Sequence, residues 1–420
     1  MKLLIVMIIF FISTLAASQE NNLSQLTLNE CIQKAHVANP DLLILQETLN
    51  ALTHREQSLF RDMLPNMALS WSGNEIYKKA TDSYYMSIMI SQPIFQGRSA
   101  YTNWKMAGLD IKRSKLGILR QQQLITLLVT NAWYELIQSQ EFLIETIQAL
   151  ERLRQHASNA EHFFKEGWIW RTDVLEAKLQ VARGEQALIV AENNVSRAKA
   201  KLNVLMHQDV NENLPVQGKL VWCHSDWTYE HAIQEALLHR PDLKQARIDI
   251  ESNQASVIIE QSAYYPNVNA NLSWSKSDNK IDMKQGVENR SFQLSASWTI
   301  WEWGKTNEQI AAAKSKIKSS YYQIEKIKDQ IALEVHDAWL SVQEEDKKVK
   351  VLEQTLEQSD ENYRVNIIRY RERLGTAKDV LDAQDLLTAT KKDYIAALSS
   401  YLSSLSMLEY AIGNKSYDNQ

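Results

Sequence analysis

Two stretches of this 420-residue chain place an apolar or aromatic residue at every seventh position, and the second copies the first. Trp104, Ile111, Ile118, Ile125 and Ala132 form the first run, and Ile310, Ile317, Ile324, Ile331 and Ala338 follow 206 residues later. After a four-residue shift the seams resume as Leu136, Leu143, Leu150, Ala157, Phe164 and as Val342, Val349, Leu356, Tyr363, Tyr370. A sustained seven-residue step is coiled-coil packing, and a four-residue insertion locally unwinds the supercoil. Helices over about 98–166 and 304–373 would each run ~100 Å, too long for a compact domain. Shorter helices, about 172–207 and 376–412, are expected to fold back antiparallel across tight turns. The 11 glycines and 6 prolines agree with this, since folds built from many short elements need more breakers.

The copying extends beyond the long helices. Leu28–Leu42, with Pro40-Asp41-Leu42, matches Tyr229–Leu243, with Pro241-Asp242-Leu243, at an offset of 201. Pro65-Asn66 matches Pro266-Asn267, Asn131-Ala132-Trp133 matches Asp337-Ala338-Trp339, and Asp173-Val174-Leu175 matches Asp379-Val380-Leu381. A unit this long is a duplicated half-protein rather than a solenoid repeat. Residues 28–64 and 229–265 read as helices bent where Pro40 and Pro241 start a new segment.

After Pro65 and Pro266 the period becomes two. Val268, Ala270, Leu272 and Trp274 alternate with Asn267, Asn269, Asn271, Ser273 and Ser275. Phe292, Leu294, Ala296, Trp298 and Ile300 alternate with Ser291, Gln293, Ser295, Ser297 and Thr299. The first copy repeats this less cleanly, through Met67, Leu69, Trp71 and then Tyr84, Met86, Ile88, Ile90. Four strands are predicted, at about 65–75, 84–95, 266–276 and 290–301. A half-buried soluble sheet is one reading of this alternation. Strands of this length also cross a bilayer when tilted, and aromatic residues cluster near their ends as an interfacial belt would. Four strands cannot close a membrane barrel alone, so other copies of the chain must complete it. Two copies give eight strands and three give twelve, and only the larger barrel leaves a wide polar lumen.

Residues 1–18 read as a secretory signal: Lys2, an apolar run from Leu3 to Ile12, and small residues Ala16 and Ser18 before a cut at Gln19. No later stretch is long and apolar enough for a transmembrane helix, so insertion must use strands. The net charge of −5 gives no basic footprint for nucleic acid. Enzyme motifs are missing: there is no GxGxxG, P-loop, GxSxG, HExxH or CxxC spacing. Cys223, His224, Asp226 and His231 form a loose cluster that matches no usual metal-ligand pattern, so no metal or cofactor is expected. A disulfide between Cys31 and Cys223 is left open. Lys347-Lys348 and Lys391-Lys392 read as solvated helix faces, and Trp133 and Trp339 as helix-packing residues. A non-transporting periplasmic coiled-coil spacer is the competing class, but it would not need four amphipathic strands.

With the duplicated Pro-Asp-Leu helix starts, the strand-entry Pro-Asn, the duplicated Ala-Trp and the turns around Thr172–Leu175 and Asp379–Asp382, the chain resembles the TolC family of outer-membrane efflux proteins. The resemblance covers roughly Leu26 to Gly413. It implies a mainly α fold with a small membrane β-barrel: a homotrimer sharing a twelve-stranded barrel, continued by a periplasmic tunnel of long antiparallel coiled-coil helices. It also implies an exit duct for efflux or type I secretion, joined to an inner-membrane pump through a periplasmic adaptor. On this reading 19–207 is the first repeat, 208–227 part of a collar, 228–413 the second repeat and 414–420 a tail.

The implied site residues follow. Gly167, Trp168, Trp170, Arg373 and Gly375 lie in the turns farthest from the strands, where an adaptor would dock. Asn267, Asn269, Asn271, Gln293 and Ser295 would line the barrel lumen. Asp379 and Asp382, three apart on one helix face, would form two carboxylate rings at the periplasmic aperture, raising their pKa values and favouring cations. Asp173, Thr172 and Tyr370 match positions that link the tip hairpins in the closed family members. Two departures stand out: Arg373 occupies the place of a usual turn glycine, and Gly375 that of the arginine partnering the threonine. Arg371 or Arg373 is a possible substitute.

Overall fold

The computed structural model describes residues 26–74, 82–216 and 218–413. The expected signal 1–18, the tail 414–420 and part of the first strand-connecting loop lie outside them. Each repeat is helix, helix, strand, strand, long helix, returning helix. The first holds α1 (Leu28–Ala38), α2 (Pro40–Arg61), β1 (Asn66–Asn74), β2 (Ser83–Gln96), α3 (Ser99–Lys165) and α4 (Arg171–Leu205). The second holds α5 (Tyr229–His239), α6 (Pro241–Gln261), β3 (Asn267–Asp278), β4 (Val287–Ser297), α7 (Lys305–Arg371) and α8 (Ala377–Ile412).

Local chemistry sets the boundaries. Thr27 and Glu30 form a reciprocal capping box at the start of α1, which satisfies two of the free N-terminal donors. The bend at Pro40 follows from proline at the first helical position and from the Asn39 side chain accepting from the Asp41 N–H at 3.0 Å. Asn39 also donates to the Leu205 carbonyl at the end of α4. Arg240, at the same place in the second repeat, donates to the Ala411 carbonyl at the end of α8. Duplication has therefore kept the task of capping the returning helix while changing the residue. Arg240 is only 3% exposed and is neutralised by Asp242 and Glu334, each at 2.6 Å.

α3 and α7 are each 67 residues long, about 100 Å at 1.5 Å per residue. Their seven-residue seams face their neighbours: Ile125, Ala132, Leu136 and Leu150 are buried on α3, and Ile310, Ile324, Ile331, Ala338, Val342 and Val349 on α7. The seam slips at the end of α3, where Phe164 is exposed and Phe163 packs inward instead. Each repeat has its own apolar core, around Cys31, Val129, Leu136 and Leu202 in the first and Leu243, Ile331, Tyr401 and Leu408 in the second. Trp133 is buried in the first core, and Trp339 is half-buried with its indole N–H donated to the Trp227 carbonyl. Both are packing residues.

The segment 208–227 straps the two cores together. Leu26 pairs with it through Val216 and Pro215. Farther on, Trp222 donates to Asp346 and the Tyr401 hydroxyl to the Cys223 carbonyl. Cys31 is buried and Cys223 exposed, and both thiols are free. Among the described residues no group of His, Cys, Asp and Glu is arranged to hold a metal ion.

The four strands form one antiparallel sheet in the order β1-β2-β3-β4. β4 stops at Ser297, short of the predicted 301. Beyond it Trp298 donates its indole N–H to the Tyr264 carbonyl, so residues 298–303 leave the ladder on their way to α7.

Candidate functional site

The register of the sheet separates two faces. Met67, Ile90, Leu272 and Phe292 lie side by side across all four strands, and the next row runs Leu69, Ile88 and Trp274 before ending on Arg290 of β4. This apolar face is bare: Phe292 is 70% exposed and Leu272 52%. The opposite face carries a complete polar row, Asn66, Ser91, Asn271 and Gln293, in which the Ser91 hydroxyl donates to Asn271 at 2.6 Å. Ser295 stands across from Asn269, and Asn267 closes the same face opposite Ser297. All five sequence-selected lumen residues thus share one face, joined by Ser87, Ser91 and Ser273. In the first-copy strands the polar face is less regular, with Met89 standing between Ser87 and Ser91 and opposite Ser273.

At the far end of the helices the two turns are built alike. Gly167 takes φ +75° and Arg373 φ +62°, and each turn closes with the paired hydrogen bonds of a left-handed helix stop. Arg373 therefore performs the turn that glycine performs in the first copy, at a steric cost of about 1 kcal/mol. Its guanidinium lies 4.1 Å from the centre of the Trp168 ring, a cation–π contact between the two turns. Trp168 is 54% and Trp170 81% exposed. Gly375 sits against Arg369, and Arg371 is exposed.

The aperture residues divide. Tyr370 packs between His156 and Phe163, and its hydroxyl has no hydrogen-bond partner. Burial, with the nearby Asp173 carboxylate, pushes the Tyr370 pKa up. Thr172 donates to Asp173 at 3.4 Å. Asp379 closes its own helix, accepting from the Thr376 N–H at 2.9 Å while Thr376 accepts from Asp379 N–H. Those hydrogen bonds hold the Asp379 carboxyl below its usual pKa, opposite to the rise expected from a carboxylate ring. The difference is one of neighbours, since no second Asp379 faces it within a single chain. Asp382 is exposed one turn on, and burial together with Asp382 raises the pKa of Asp385.

Sequence reasoning missed a buried ionic bridge between the hairpins. The Glu145 carboxylate on α3 accepts from Arg152 at 2.5 Å and from Lys391 of α8 at 3.1 Å. Lys391 is therefore a partner in the interior and not a simply solvated charge. Glu145 and Arg152, seven apart, lie on one stripe of α3, which is the signal that was available. His156, on the same face one turn farther, was also missed.

Residues 232–414 match the family model described as outer membrane efflux protein. Nodulation protein T of Rhizobium leguminosarum bv. trifolii is 23% identical over 182 residues, 43% of this chain and 39% of that protein. The match thus spans well under half of that relative's length. Among solved structures, the outer membrane protein VceC from Vibrio cholerae is similar with a TM-score of 0.78 at 18% identity, covering 92% of this chain and 96% of that one. The CmeC outer membrane channel of Campylobacter jejuni gives 0.80 at 16% identity, covering 92% and 85%. The MtrE outer membrane channel of Neisseria gonorrhoeae gives 0.78 at 16%, covering 92% and 89%. The second repeat is thus similar to outer membrane efflux proteins, and across both repeats the chain has the fold of outer-membrane channel proteins.

Proposed function

We propose that three copies of this chain form an outer-membrane exit duct, receiving small molecules, metal ions or polypeptides from an inner-membrane pump through a periplasmic adaptor. The observation that carries this reading is the two-faced sheet. Its apolar face is bare, with one row of apolar residues crossing all four strands and charged residues, Arg290, Lys276 and Glu288, only toward the loop ends of β3 and β4, and its polar face is rich in Asn, Gln and Ser. Lipid outside and water inside suit those faces, and the outer strands β1 and β4 need partners that further copies supply. Twelve strands leave a polar lumen, whereas eight would be filled by side chains.

We read the chain as a duct rather than an enzyme, a reading supported by its channel-protein fold and by the efflux-protein match of its second repeat. Asn267, Asn269, Asn271, Gln293 and Ser295 line the lumen. Trp168 and Trp170 contact the adaptor, since aromatic side chains this exposed are typical anchors of an interface. Asp379 and Asp382 form two threefold rings at the periplasmic end that draw cations, and Tyr370, packed on His156 and Phe163 of the other hairpin with Asp173 and Thr172 nearby, holds the tip hairpins together at rest.

Reconstitution tests the reading. The full chain should fractionate with the outer membrane, cross-link as a trimer, and give cation-selective conductance in planar bilayers. A soluble monomer with silent bilayers would return the chain to the class of periplasmic coiled-coil spacers.

A further inference from the structure

One buried titratable group at the tip has no task in the duct just described. His156 of α3 is 7% exposed, and its Nε2 has no hydrogen-bond partner. Its ring packs on Tyr370 of α7 with centroids 5.6 Å apart. Tyr370 in turn meets Phe163 at 5.7 Å, Phe163 meets Trp168 at 5.5 Å, and Trp168 lies beneath Arg373. A continuous aromatic seam therefore joins the α3–α4 hairpin to the α7–α8 hairpin, with His156 at its inner end.

The charged and titratable groups around it offer a proton no compensation. On its own helix, one turn away, stands Arg152, already engaged with Glu145, which also takes Lys391 from α8. α7 presents the neutral phenols Tyr363 and Tyr370. α4 presents Asp173, whose charge acts on Tyr370. On α8, Asp379 is held by Thr376, and Asp385 is paired in influence with Asp382 and Arg183. Burial is the influence that moves the His156 pKa, and it moves it down.

We propose that His156 makes the packing of the two hairpin tips pH-sensitive, so that an added proton on this buried, unpartnered ring beside Arg152 drives α3 and α7 apart at the tip. Packing favours the neutral ring, and separation returns it to an ordinary imidazole titrating near 6.5. The packed tip is therefore fully favoured above about pH 6.5 and loses stability as pH falls below that value. The consequence for transport, an aperture that opens more readily in acid, rests on the channel reading. The packing change itself does not.

Amide hydrogen exchange on the full-length protein in detergent tests it, comparing pH 7.5 with pH 5.5 after dividing out intrinsic rates. One pH unit below an ordinary imidazole pKa limits the effect to about tenfold. Segments 156–170 and 366–376 should exchange about three- to tenfold faster at pH 5.5 in the wild type. His156→Phe keeps an aromatic ring without a proton to gain, and His156→Gln covers the case in which phenylalanine overfills the site. Loss of the pH response in both variants supports the proposal. A wild type without a response, or variants that keep it, overturns it. In planar bilayers acidification should raise conductance of the wild type and not of His156→Phe. Bilayers silent at both pH values would remove the channel reading, and the exchange comparison would still decide the proposal.

Discussion

Replacing Glu145 with glutamine tests what binds the two hairpins above the tip. The side chain is 6% exposed and sits between Arg152, 19% exposed, and Lys391, 28% exposed. The substitution keeps the shape and removes the only negative charge, leaving two cations facing each other across α3 and α8. Removing one partner from a buried ion pair costs about 3–5 kcal/mol. Because both cations retain some access to water, the lower end, about 3 kcal/mol, applies here. That corresponds to a little over 100-fold in a local opening equilibrium, at 1.36 kcal/mol per tenfold. Hydrogen exchange over 384–392 of α8 should accelerate by about that factor. Adding Lys391→Met removes the second uncompensated cation and should recover about 0.5–3 kcal/mol, the coupling expected of direct neighbours. A change below about threefold in Glu145→Gln, or a double variant less stable than the single, would refute the reasoning.

Three further expectations follow from single contacts. Arg373→Gly removes the left-handed strain and the Trp168 stack together, so tip stability should change by less than about 0.5 kcal/mol, whereas Arg373→Ala keeps the strain and should cost about 1 kcal/mol, read by thermal unfolding. Burial raises the Glu409 pKa from 4.5 to about 7, so this carboxyl favours the fold in acid and loses that contribution as pH rises through 7. Glu409→Gln should therefore raise the melting temperature at pH 8 by the equivalent of ~3 kcal/mol at most and leave it unchanged at pH 4. Asp379→Asn with Asp382→Asn keeps a side-chain acceptor for the Thr376 cap while removing the charge of the proposed rings, so cation selectivity should fall with no loss of the proposed trimer. Selectivity equal to wild type would assign Asp379 to helix capping alone.

Much of the fold was legible because its determinants are periodic. The seven-residue seams gave α3 and α7 to within two residues, and the duplicated prolines gave both bends. The two-residue alternation of β3 gave the sheet's faces directly. What was illegible depends on contacts across the repeat. Phe163 replaces Phe164 at the tip because the buried stripe of α3 has moved to Leu153, His156 and Ala160 by its last turns, which a fixed seven-residue step from Leu150 does not show. Lys391 reads as a surface lysine until α8 is placed against Glu145. Arg240 looks like an exposed charge at a helix start, yet it is buried because the end of α8 lies over it. Asp379 shows both sides: its place at a helix start was visible, but only the Thr376 geometry reveals that the carboxylate caps its own helix.

Thiol accessibility distinguishes a water-lined from a lipid-facing side of the sheet. With the exposed Cys223 changed to serine and the protein in sealed vesicles, cysteines at positions 269 and 293 replace residues of the polar face. Those at 272 and 294 replace residues of the bare apolar face. The first pair should react rapidly with a charged, water-soluble thiol reagent, and the second pair should stay protected until detergent is added. Equal reactivity of both pairs, or protection of 269 and 293 alone, would contradict a sheet that has lipid on one side and a water-filled duct on the other.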